Sequence, residues 1–140
     1  MGVSGLRDPY ARRLEIPVLT DEERIEIALA CDWHWETWSD LPDGHGVWRD
    51  AGGKSYFGPG LYGAVGLPDF EYDSVRWSGM LVWLLAKGMS ACLSAMSSTL
   101  RVGYEDEVGA FDDDRPFGEA DTLGVATCRA FLAEIRHARS

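Results

Sequence analysis

The chain lacks most of what would mark a metal finger, a disulfide scaffold or a membrane anchor. Among 140 residues there are three cysteines, Cys31, Cys92 and Cys128, odd in number, widely spaced and without a Cys-x-x-Cys pair. That excludes a stapled secreted scaffold and a zinc knuckle, and leaves small apolar side chains in a reducing compartment. The three histidines, His34, His45 and His137, show no metal-ligand spacing, and no serine lies in a Gly-x-Ser-x-Gly elbow. The longest apolar run, residues 80–86, falls far short of the ~20 residues of a membrane span. The opening MGVSGLRDPYARR has no apolar signal core, and Leu6 stands where a myristoylation motif needs Ser or Thr. A soluble, cytoplasmic protein without membrane contact is expected.

Positive charge is also scarce. With 13 Lys and Arg against 23 Asp and Glu, the formal net charge is -10, which disfavours the phosphate neutralisation that dominates nucleic-acid affinity. Direct nucleic-acid binding is not expected. An acidic surface could instead meet a basic partner, including an enzyme whose nucleic-acid groove it occupies.

What is present suffices for one core. At 46% hydrophobic residues, the chain reads as a single domain over residues 19–140, preceded by an arm at 1–18 that is ordered only if it docks. Thr20 and Glu23 form a capping box at the head of TDEERIEIALAC, with acids in the first turn and Ile25, Ala28 and Leu29 on the buried stripe. The segment CDWHWETW follows as an extended strand, and LPDGHG turns it into VWRD, a hairpin. Residues 44–66 hold eight of the 16 glycines and form a long insert with one short strand at KSYF. Asp73 caps SVRWSGMLVWLLAKGM, whose apolar residues spread over most of the circumference, as in a buried helix. LRVGYED and EVGAFDD alternate like strands, Asp112, Asp113 and Asp114 read as a solvated turn, and the last element, capped by Asp121 or Thr122, repeats Val125, Cys128, Leu132 and Ile135 at helical spacing. Helix, hairpin, loop, helix, strands and helix predict an α+β domain with helices packed on an antiparallel sheet.

Three pieces of the sequence carry a resemblance. They are TDEERIEIALACDWHWETW, where an acidic helix runs into a Trp-rich strand; LPDFEYD, which opens the central helix; and ADTLGVATCRAFLAEI, which opens the last. Their order and spacing over roughly residues 20–138 resemble the phage α-β-α sandwich domain family. The resemblance implies a sheet of about four to five antiparallel strands between helices, a phage or prophage origin, and no established catalytic residue. It further implies a non-catalytic binding protein acting in the bacterial host's cytoplasm. There it would modulate a host process by binding a host protein or sequestering a small-molecule signal.

Several residue sets invite sharper readings. In strand geometry Trp33, Trp35 and Thr37 share one face, whereas Asp32, His34, Glu36 and Trp38 share the other. Asp32, His34 and Glu36 could bind zinc and, with Asp69 or Asp73, support a metal-assisted hydrolase. Same-face neighbours on a strand stand ~6.5 to 7 Å apart, however, so three in a row seldom meet on one ion, and a solvated face is expected. Asp69, Glu71 and Asp73 alternate like an acid–base set, but helix-start chemistry is the plainer account. GPGLYG matches Gly-x-Gly-x-x-Gly, although Pro59 sits inside it and no helix follows. Trp38 and Trp48 are the tryptophans expected outside the core, near each other across the hairpin. With Tyr56, Phe57 and Tyr62 they form the candidate ligand-binding set, no cofactor being called for. A virion assembly protein that self-associates through that aromatic loop, as a homo-oligomer, is a further reading.

Overall fold

A computed structural model describes residues 18–55, 57–94 and 98–140. Residues 1–17 of the arm and Tyr56 of the candidate set therefore lie outside the described residues.

Local chemistry starts each element. Helix α1, Asp21–Ala30, opens on the expected capping box: the Thr20 hydroxyl accepts from the Glu23 amide and the Glu23 carboxylate accepts from the Thr20 amide. It closes on Asp32 in the left-handed region at φ 66°, with the Trp33 amide donating to the Ala28 carbonyl. Strands β1, His34–Thr37, and β2, His45–Arg49, form the expected hairpin, in register Trp35 opposite Trp48. A two-residue strand β3, Gly60–Leu61, adds to the far side of β2; the short strand lies there and not at KSYF. Helix α2, Ser74–Ala86, is capped by Asp73. It ends at Gly88, φ 107°, where the Met89 amide returns to the Leu84 carbonyl. Strands β4, Ser90–Leu93, β5, Leu100–Gly103, and β6, Phe117–Ala120, form a second antiparallel sheet with β5 in the middle. Helix α3, Leu123–Arg139, capped by Thr122, completes the chain.

The α+β class holds, but the single sheet of four to five strands does not: there are two sheets of three. The first sheet ends in the two-residue β3, and the whole of α2 stands between it and β4 in the chain, so the hairpin's hydrogen bonding ends before sheet two begins. EVGAFDD is not a strand. The Asp106 carboxylate accepts from the amides of Val108 and Ala110 and Gly109 sits at φ 86°, which folds the segment into a turn. Among the described residues its ladder contact is an isolated bridge from Glu105 to Phe111. The third strand is FGEA, whose Gly118 lies so close to α3 that a Cβ would come within 2.2 Å of the Ala126 carbonyl oxygen.

Helix α3 is the axis of the fold. Ala126 and Ala130 meet β6, Phe131 meets Trp83 of α2 with ring centroids 5.3 Å apart, and Arg136 and Arg139 clasp Glu26 of α1. Nine of its 17 residues are buried. Helix α2, expected to be largely buried, buries only Met80 and Leu84. Hydropathy counts apolar side chains but not the elements that cover them, and α2 is covered on one side only. Among the described residues no helix is long and apolar enough to cross a membrane.

Candidate ligand-binding site

The indoles of the first hairpin serve two concavities. The first is a cradle of about 610 Å³ between the hairpin and the Gly-rich loop, lined by Trp35, Trp48, Phe57, Leu61 and Tyr62. Trp35, Trp48 and Tyr62 pack mutually, with centroids 5.2 to 5.6 Å apart. Glycines make this possible: a Cβ on Gly46 would strike the Glu36 carbonyl oxygen at 2.2 Å, and Gly66 lies against the Trp48 ring. Three members of the candidate set, Trp48, Phe57 and Tyr62, are thus brought together. Trp38 is not among them.

Two expectations about this set change. Trp48 pairs across the hairpin with Trp35, not with Trp38, because the register places Trp35 opposite it. Trp48 is also only 1% exposed, its Nε1 donating to the Gly63 carbonyl at 2.8 Å. It is a pillar of the core, with no open ring face to offer a base or sugar. Trp38 is half-buried and its Nε1 donates to Glu36 at 2.9 Å. Phe57 and Tyr62 remain exposed.

The proposed metal face does not converge. Asp32 belongs to the left-handed close of α1 and precedes the strand, so it has left the alternation that would align it with His34. Glu36 is held by Arg49 at 2.8 and 3.2 Å, and that guanidinium keeps its carboxyl below the usual range. Among the described residues no group of three or more His, Cys, Asp and Glu could hold an ion. The carboxylates of LPDFEYD are likewise engaged: Asp69 with Arg24 at 3.3 Å, Asp73 as cap and partner of Arg76. Glu71, buried, accepts from the amides of Val18 and Leu19 at 3.2 and 3.0 Å. It ties the entry of the domain to the turn before α2.

The second concavity is a groove of about 500 Å³ between the end of α1, α2, α3 and the chain leaving β2. Trp33, Phe70, Met80, Trp83 and Phe131 supply apolar walls, and Arg76 and Asp50 stand at its polar edge. Its floor is rigid, since Trp33, Phe70, Met80 and Phe131 are all buried and Trp33 meets Phe70 edge-on at 6.0 Å. The Arg76 guanidinium lies 5.0 Å from the centre of the Trp33 ring and is steered by Asp73 at 3.0 Å. Cys31 lines the same groove, and burial pushes its thiol pKa up, away from the reactive thiolate. Among the described residues this groove places four aromatic rings around one space, with no activated nucleophile or acid–base pair in its lining. Sequence reasoning read Trp33 as a dry-face residue but missed the set, because its members come from segments up to about a hundred positions apart.

No protein-family model, curated protein or solved structure matches the chain.

Proposed function

We propose that the protein is a non-catalytic binding protein that holds a flat, largely apolar small molecule in the groove between α1, α2 and α3. The observation that carries this is the lining: Trp33, Phe70, Trp83 and Phe131 with Met80, closed by Arg76 and Asp50 at one edge. A volume of about 500 Å³ lies within the range of roughly 300 to 1,000 Å³ that small-molecule sites occupy, with few polar groups to set orientation. Rings on several sides favour a planar partner, which offset and edge-on contacts stabilise. The resemblance to the phage α-β-α sandwich family supplies the setting: sequestration of a small-molecule signal in a bacterial host.

The test uses the dye 1-anilinonaphthalene-8-sulfonate as an aromatic probe, followed by tryptophan quenching and by titration calorimetry. One site per chain is expected, weakened at least about tenfold, or ~1.4 kcal/mol, by Trp83→Ala, and unchanged by Phe57→Ala. Trp83 is 41% exposed but packs on Phe131, so circular dichroism of Trp83→Ala accompanies the titration to show that the variant is folded. Binding that survives Trp83→Ala and disappears in Tyr62→Ala would move the site to the cradle and contradict the proposal.

A further inference from the structure

We propose that the outward face of α2 is a self-association surface on which a second copy of the chain packs its own α2 antiparallel. Val75, Gly79, Val82 and Ala86 follow one another at spacings of four, three and four, which sets them in one line along the helix, and all four are exposed. Val75 is 81% and Val82 66% exposed, with Leu85 beside them also exposed. A line at that spacing is complementary to another helix, whose side chains enter it as knobs.

The order of residue sizes selects the partner and its direction. When two copies run antiparallel about a two-fold axis between Gly79 and Val82, Val75 meets the partner's Ala86 and Gly79 meets the partner's Val82. Every level then pairs a large residue with a small one. In a parallel pair valine would face valine and glycine would face glycine, giving alternating clashes and gaps. Gly79 points the same way: glycine is the poorest helix former after proline, and a Cβ placed there would meet nothing within 4 Å of its own chain. Packing within the monomer does not require it, although it borders the groove; close approach of a second helix does.

Charge agrees. Two chains of net charge -10 repel over most of their surfaces, yet from Trp77 to Ala86 the helix carries no charged side chain. The flanking cations are already engaged, Arg76 with Asp73 and Lys87 with Glu134. A 13-residue helix is only ~20 Å long, so its face buries less than the roughly 800 Å² per partner of a standard interface and supports a weak, concentration-dependent dimer. The line and the groove share an edge at Gly79, whereas Val75, Val82 and Ala86 do not line the groove; Val82→Glu therefore tests the seam and Trp83→Ala the groove.

Light scattering on the full chain, from a few micromolar to about 200 µM, tests it. Mass should rise toward twice the 15.5 kDa of one chain, while Val82→Glu and Gly79→Leu stay monomeric and folded by circular dichroism. Gly79→Leu improves helix propensity and overfills the seam, so it covers the case in which Val82→Glu misfolds; it also narrows the groove edge, so it is read by mass and not by dye binding. In a Cys92→Ser background, Val75→Cys with Ala86→Cys should cross-link under mild oxidation, and Val75→Cys alone should not. A monomer at every concentration, as when the chain's own residues 1–17 occupy the face, overturns the proposal. So does a dimer that survives both seam variants.

Discussion

Helices α2 and α3 invert the relation between composition and position. Helix α2, SVRWSGMLVWLLA, has one charged residue, and α3, LGVATCRAFLAEIRHAR, has four besides histidine; yet α2 buries two residues and α3 nine. The difference lies in neighbours. Helix α3 is met by a sheet, by α1 and by α2, so even Glu134 is drawn inside, where Tyr104 donates to it at 3.0 Å and Lys87 pairs with it at 3.5 Å. Helix α2 has α3 on one side, a ligand-sized groove on its flank and an apolar line facing outward. Apolar composition alone does not give the core. Where one helix is more apolar than its burial needs, the surplus marks where something else binds.

Substitutions sharpen this contrast. The largest effect is expected in α3: Leu132→Ala, at 1% exposure, should cost roughly 2–5 kcal/mol in denaturant unfolding. Next comes the clasp at the domain entry. Glu71→Ala leaves the Val18 and Leu19 amides without their acceptor, about 1–3 kcal/mol by the same measurement. Smaller again is the tie between α1 and α3. Hydrogen bonding from Arg136 and Arg139 holds the Glu26 carboxyl below its ordinary value of 4.5. Its stabilisation is therefore complete above that value and is lost as pH falls through the lowered one. Glu26→Gln should cost no more than about 1 kcal/mol at pH 7. In melts run across acid pH, the gap to the parent should close as pH drops below 4.5. At the bottom, Val82→Ser on α2 should change monomer stability by less than ~0.5 kcal/mol.

The legible parts of the fold were those whose signal is local. Thr20 with Glu23, Asp73, and Pro42-Asp43-Gly44 each announce an end or a turn through chemistry completed within a few residues. The strand FGEA was invisible because its buried Gly118 has no side chain to set a period; what demands glycine there is the backbone of α3, which the sequence around it does not mention. Asp32 was misplaced onto the strand face because alternation assumes extended backbone, and a single left-handed residue resets it. The candidate site was half legible. Phe57, Tyr62 and Trp48 were all named as candidates and line one cradle, since they flank one Gly-rich loop, but Trp48 was expected beside Trp38. The groove was not, since Trp33, Phe70, Trp83 and Phe131 meet only after three helices have packed.

Helix α2 is peripheral while α3 is the axis. Thermal melts of Val75→Lys and Leu132→Lys, followed by circular dichroism at low micromolar concentration, compare the two. Val75→Lys should melt within a few degrees of the parent, roughly what less than ~0.5 kcal/mol allows, and Leu132→Lys should fail to fold. If Val75→Lys also failed to fold, the outward face of α2 would be part of the core after all, and the peripheral helix would be refuted.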